Sequence, residues 1–246
     1  QLSLHFQAQY ALGSSELVGY EALVRWHHPR LGPISPAEFI PLLEESGLIH
    51  QVGDWILREA CRQMAEWRQK GLADATMAVN LSPEQFRNPE LVKSIRQALE
   101  TSGLPQDRLE LEITESLLIE DQPGVARNLE ALRAMGVAIA LDDFGTGYSA
   151  LSYLQAFPLD VLKLDRSFTA GLEHDPERSP GLIQGVIQLA QGLGLTVVAE
   201  GIEGPEQLRF LRSLGCERGQ GFGLEPPLAA EDAAALGQRP PSGGAL

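Results

Sequence analysis

Arg108-Leu109-Glu110-Leu111-Glu112-Ile113-Thr114 and Val137-Ala138-Ile139-Ala140-Leu141-Asp142-Asp143-Phe144 are the segments on which the fold turns. Each has the length and apolar patterning of a strand. Between them, Val125 to Met135 repeats apolar residues at helical spacing, and Gly136 stops the helix. In the first strand Glu110 and Glu112 share one face, and Leu109, Leu111 and Ile113 share the other.

The alternation of strand and helix extends outward in both directions. Thr76 to Ser82 reads as a strand, followed by a helix over Pro89 to Thr101 that Gly103 ends. Val161 to Phe168 and Leu195 to Ile202 read as strands, separated by a helix with Leu182, Ile183, Val186, Ile187, Ala190 and Leu193 on one face. Asp54 to Arg68 and Pro205 to Leu214 are further helices, the latter with proline in its first turn. Glu217 to Phe222 gives a last short strand. At the other end, Leu2 to Leu12 and Glu16 to Trp26 are separated only by Gly13, Ser14 and Ser15. That is hairpin spacing, so direct pairing of these two is antiparallel. The expected fold class is α/β, a (β/α)8-type, TIM-like barrel with one antiparallel strand near the N-terminus. A doubly wound open sheet competes with it, because periodicity does not show closure. One domain is expected over residues 1–236, with the Gly/Pro-rich 237–246 as a disordered tail.

Composition narrows the function. The net charge of −14 over 246 residues excludes a protein that tracks a nucleic-acid backbone, which needs a basic face. A small phosphorylated ligand stays compatible if cations lie between the two sets of negative charge. No apolar run approaches the roughly 20 residues of a membrane-spanning helix, and Gln1 to Tyr10 lack the pattern of a signal peptide. The start at Gln1 rather than Met is what a module of a longer protein would show. Cys61 and Cys216 are too few for a disulfide framework, and Cys61 falls on an apolar helix face as a buried thiol would. The expected location is cytoplasmic, with membrane attachment of a parent protein left open.

In a barrel, polar residues at strand C-termini point to the active site. Here Glu21, Asn80, Glu112, Asp142, Asp143, Lys163, Asp165 and Glu200 fall near strand ends. One such residue is ordinarily a solvated loop entry. Five or six carboxylates at one rim repel each other, and a cation is the usual remedy. Carboxylates and an amide, without Cys or a strand-end His, suit Mg2+, Mn2+ or Ca2+. Two such ions form the clamp used for phosphoryl transfer, and Lys163 adds a fixed cation. Acids and a lysine on successive strands also suit proton abstraction from a carboxylate substrate. His27 and His28, before Pro29, read as a surface turn.

An ordered series of motifs then decides between these. Glu21-Ala22-Leu23-Val24-Arg25-Trp26, Asn80-Leu81-Ser82-Pro83, Glu112-Ile113-Thr114-Glu115-Ser116, Asp142-Asp143-Phe144-Gly145-Thr146-Gly147, Lys163-Leu164-Asp165, Ala199-Glu200-Gly201-Ile202-Glu203 and Gln220-Gly221-Phe222 run through nearly the whole chain. In that order they resemble the EAL-domain cyclic di-GMP phosphodiesterases. The resemblance implies hydrolysis of cyclic di-GMP to linear pGpG by two-metal activation of water, with Mg2+ or Mn2+ active and Ca2+ binding without turnover. It implies Glu21, Asn80, Glu112, Asp142, Asp143 and Glu200 as metal ligands, with Glu200, Lys163 and Glu21 as the catalytic group. Whether Glu200 acts as ligand, general base or both stays open. Gln7, Leu23, Arg25, Asp165, Glu203 and Gln220 are implied on the substrate side. Glu115, Phe144, Gly145, Thr146 and Gly147 are implied to organise a loop at a dimer contact, in a homodimer fused to regulatory or GGDEF domains. Two positions depart from the family pattern: Ala8 follows Gln7 where proline is usual, and Glu225-Pro226-Pro227 replaces a basic residue before proline. A receptor that binds cyclic di-GMP without cutting it is the alternative; such proteins lose metal ligands or the loop motif, and this chain has both.

Overall fold

The hairpin expected at the N-terminus closes the molecule. In the computed structural model, which describes residues 1–71, 74–119, 122–145, 151–174 and 178–237, β1 (Leu2–Ala11) pairs antiparallel with β2 (Leu17–His28) from Leu2 opposite Trp26 to Tyr10 opposite Leu17. A short β3 (Gly32–Ile34) folds back on the end of β2. The parallel series then runs β2, β4 (Thr76–Asn80), β5 (Leu109–Thr114), β6 (Ala138–Phe144), β7 (Val161–Leu164), β8 (Thr196–Ala199) and β9 (Arg218–Gly219). Tyr10 and Ala11 of β1 pair antiparallel with β9, so the ring shuts through the first strand. A final β10 (Leu228–Ala229) pairs with β1 outside the ring. The open-sheet alternative is thereby excluded, and β1 is the antiparallel member of the barrel.

Alternation along each strand divides two buried regions. Met77 and Val79, Leu109, Leu111 and Ile113, Ile139 and Leu141, Leu162 and Leu164, and Val197 and Ala199 join the main core. The long helix Ile49–Gln69 contributes Ile56, Leu57, Ala60, Cys61, Met64 and Trp67 to it. Inside the ring, Ala140, Val161 and Val198 form a separate small cluster. Each lies two residues before a polar rim residue: Asp142, Lys163 and Glu200. Apolar floor and polar rim are thus built by one strand periodicity.

Several boundaries differ from the sequence reading. The strand expected over 161–168 ends at Leu164, and Arg166–His174 is a helix. Asp165 starts it: its Oδ1 accepts from Ser167 N–H at 3.0 Å and its carbonyl accepts from Phe168 N–H. Only Arg218 and Gly219 of the expected strand 217–222 make ladder pairs. Leu182 is 59% exposed, because the buried face of helix Ser179–Gly192 is Ile183, Val186, Ile187 and Ala190. Helix Pro36–Glu45 had no counterpart in the sequence reading. Both cysteines are free and buried. His28 accepts the backbone N–H groups of Arg30 and Leu31 at Nδ1, the turn expected there. Gly237, expected to open the tail, ends the helix Ala230–Gly237; the rest of the expected tail, 238–246, and Thr146 and Gly147 of the loop motif lie outside the described residues.

Candidate active site

Lys163 is the centre of the rim. Its side chain is 1% exposed, and Nζ lies 2.8 Å from Glu112 Oε1, 2.8 Å from Glu200 Oε1, 3.2 Å from Asp142 Oδ1 and 3.5 Å from Glu21 Oε2. Four strands besides its own therefore deliver a carboxylate each to one ammonium. Burial alone would lower the lysine pKa; the carboxylates of Glu112, Glu200, Glu21 and Asp142 outweigh it and hold the group well above its usual range.

One ammonium does not balance four acids. Burial and then the nearby Glu21 push the Glu112 carboxyl well above the usual carboxylate range. Glu112 Oε1 is ion-paired with Lys163 at 2.8 Å, and Oε2 is buried with no hydrogen-bond partner. Glu200 is pushed up to about 7, by burial first, against the pull of Lys163. Glu21 goes the other way: burial would raise it, but Lys163 and hydrogen bonds from Gln220 and Asn80 hold it below the usual value. Asn80 Nδ2 donates to Glu21 Oε1 at 2.7 Å, and Gln220 Nε2 donates to Glu21 Oε2 at 2.7 Å and to Glu200 Oε1 at 2.9 Å.

Asp142 and Asp143 owe their position to an irregularity. The β6–β7 register shifts between Leu141 and Phe144, and Asp143 takes φ 55°, a left-handed backbone uncommon outside glycine. Its N–H donates to Asp142 Oδ1 at 3.0 Å. Burial, then Asp142, raises the Asp143 pKa. Such a break re-aims side chains next to active sites.

The remaining sequence candidates spread around this centre. Glu21, Leu23 and Arg25 alternate along β2 and share its inner face, while Gln7 lies opposite Glu21 in the ladder. Gln7 Nε2 donates to the carbonyl of Glu225 at 3.2 Å, so the unusual Glu225 serves here through its backbone. Arg25 Nη1 donates to the Val24 carbonyl at 3.0 Å. Glu115 is buried beside the start of the loop, with Oε2 3.5 Å from Gly145 N–H, and Phe144 is buried. Glu203 is exposed at the rim, and Asp165 caps its helix rather than joining the carboxylate ring.

Sequence reading missed the supports. Thr169 Oγ1 donates to the carbonyl of Glu200 at 2.8 Å, and Gln207 Oε1 accepts from Glu203 N–H at 2.7 Å and Gly204 N–H at 3.0 Å. Arg218 Nη1 lies 3.4 Å from Glu110 Oε2 within the barrel. A Cβ on Gly221 would lie 2.2 Å from Ile202 N, in the backbone that carries Glu200. Gly221→Ala is therefore expected to cost about 1–3 kcal/mol of stability, measured by urea unfolding; an unchanged midpoint would contradict this close approach.

The donor set is all oxygen, which suits a hard divalent cation. The buried Glu112 Oε2, which has no hydrogen-bond partner, is an oxygen such a cation would satisfy. As the side chains stand they close on Lys163, and among the described residues no three acidic, His or Cys groups form a ready metal cage. Loading would require carboxylates to turn from Nζ toward the mouth.

The EAL domain profile matches residues 1–227. The chain belongs to the EAL domain family. This EAL domain is 46% identical over 231 residues to the bifunctional diguanylate cyclase/cyclic di-GMP phosphodiesterase MucR of Pseudomonas aeruginosa, a match over 94% of the chain and 34% of MucR. It is 45% identical over 228 residues to the cyclic di-GMP phosphodiesterase NbdA of the same organism, covering 93% of the chain and 29% of NbdA. The chain thus spans about a third of these curated relatives. The solved MucR phosphodiesterase in complex with cyclic di-GMP superposes with a TM-score of 0.91 at 46% identity, covering 95% of the EAL domain and 94% of that chain.

Proposed function

We propose that this EAL domain hydrolyses cyclic di-GMP, opening one phosphodiester to give linear pGpG. The observation that carries this reading is the ring of Glu21, Glu112, Asp142 and Glu200 around Lys163, with Glu112 Oε2 buried and without a hydrogen-bond partner. The likeness to MucR and NbdA supports the choice of substrate. Two divalent ions, Mg2+ or Mn2+, held by Glu21, Asn80, Glu112, Asp142, Asp143 and Glu200, would acidify a water and neutralise the phosphate oxygens. Ca2+, larger and looser in geometry, would bind without turnover.

The residues of the chain supply the rest. Glu200, with its carboxyl near neutrality, is suited to take a proton from the attacking water. The ammonium of Lys163, fixed by its four contacts, offsets negative charge growing on the phosphoryl oxygens. Arg25, on the inner face of β2, orients a phosphate from the mouth, and Asn80 and Gln220 hold Glu21 in place. Water adds to phosphorus, the P–O3′ bond breaks, and the 3′-oxygen leaves with a proton. The test is incubation with cyclic di-GMP and Mg2+ or Mn2+: linear pGpG should accumulate, and EDTA should stop it. Binding without cleavage across these metals would overturn the reading in favour of a receptor.

Cation loading should depend on pH. The raised carboxyls of Glu112 and Glu200 must lose protons to become ligands, so binding releases protons. Mn2+ affinity measured by calorimetry is expected to rise as pH increases through about 7. An affinity independent of pH from about 6 to about 8, roughly a unit either side, would contradict the assignment.

A further inference from the structure

Gln9 lies on β1, wholly buried, and carries no role in the site as described so far. Its Nε2 donates to Gln220 Oε1 at 3.0 Å. Gln220 in turn has one permitted orientation. Its Nε2 sits between Glu21 Oε2 and Glu200 Oε1, at 2.7 and 2.9 Å, where only a donor is tolerated. The Gln220 oxygen must then face away from the carboxylates, and Gln9 supplies the donor it needs.

Two observations show that this amide is kept at a cost. Gln9 Oε1 is buried without a hydrogen-bond partner, an unsatisfied acceptor of the kind proteins rarely retain without reason. Across the ladder from Gln9 stands Gly19, which does not take the left-handed backbone that glycine is usually needed for. A Cβ there would lie 3.0 Å from Gln9 Oε1 and 2.8 Å from Thr76 Oγ1. Glycine at this position leaves room for both the Thr76 hydroxyl and the Gln9 amide.

We propose that Gln9 is a positioning residue: it locks the Gln220 amide so that Gln220 holds Glu21 and Glu200 at a fixed separation across the reaction centre. The inference rests on the hydrolysis proposed above. The relay runs from the first strand to two carboxylates that both face Lys163. Loss of the Gln9 donor frees Gln220 to turn, and both carboxylates lose a shared restraint.

The test is a double-mutant cycle with Gln9→Met and Gln220→Met, which keep side-chain length and remove the amides. Each single variant is expected to lower kcat by about 10- to 100-fold, the range for groups that orient metal ligands, with KM changed by less than about 3-fold. Mn2+ affinity, read by calorimetry without substrate, should weaken in both singles. In the Gln220→Met background, Gln9→Met should add less than about 2-fold to either loss, since residues acting through one contact are not additive. Additive losses with an active wild type would overturn the role of Gln9 alone, as would a Gln9→Met variant with wild-type kcat. Absence of wild-type turnover would overturn the hydrolysis reading and this inference with it. If Gln9→Met does not fold, Gln9→Asn, which withdraws the amide by one methylene, carries the same cycle.

Discussion

Replacing Lys163 by Met should lower cyclic di-GMP turnover by about 10²- to 10³-fold or more. The side chain is buried, and without it the four carboxylates that face it lose their shared fixed counter-charge. Breaking a buried ion pair from one side costs about 3–5 kcal/mol when the remaining charge stays ionised. The carboxylates of the variant will escape part of this by binding protons. Their folded pKa values rise above the unfolded ones, so the variant keeps its stability below the unfolded carboxylate range and loses it as pH increases. Thermal unfolding in EDTA should therefore show the variant closer to wild type at pH 5 than at pH 8, values chosen about a unit above the unfolded carboxylate pKa and well beyond it. A variant with near wild-type turnover, or with the opposite pH trend, would refute the place given to Lys163.

Glu21→Ala should abolish turnover, a loss of about 10³-fold or more. Glu21 is the acceptor on which Asn80 and Gln220 both converge, and it faces Lys163. The substitution removes a proposed ligand and strands two amide donors. Glu21→Gln is the sharper control, because it preserves volume. One of its two terminal atoms becomes a donor, which must face the amide of Asn80 or of Gln220. Rates within about 10-fold of wild type for Glu21→Gln would show that the charge of Glu21 is dispensable, against the range expected for a charge-stabilising group. Circular dichroism of both variants separates lost chemistry from lost fold.

Much of this was legible in the sequence because it follows a period of two. Val161-Leu162-Lys163-Leu164 places Lys163 opposite to its leucines, and Leu109-Glu110-Leu111-Glu112 does the same for the acids. The strand-end position of Asn80, Asp142 and Glu200 followed from where the apolar runs stop. Closure was not legible, since it depends on Tyr10 and Ala11 meeting Gly219 and Arg218 from the far end of the chain. Asp165 was misplaced in a strand because Phe168 continues the apolar pattern, while the capping carboxylate is the true boundary signal. Gln9 was missed for a different reason. An uncharged amide in a strand carries no signal of its own, and its meaning comes from Gln220, 211 residues away. The pairing of Glu110 with Arg218 was hidden in the same way, across 108 residues.

The most direct test of the account is hydrolysis in H2(18)O. Excess EAL domain is mixed with cyclic di-GMP and Mn2+, and the product is read by mass spectrometry. Attack of water on phosphorus with loss of the 3′-oxygen predicts linear pGpG carrying one 18O, on its terminal 5′-phosphate. Unchanged cyclic di-GMP, or a product without the label on that phosphate, would contradict the reaction assigned to the ring of carboxylates around Lys163.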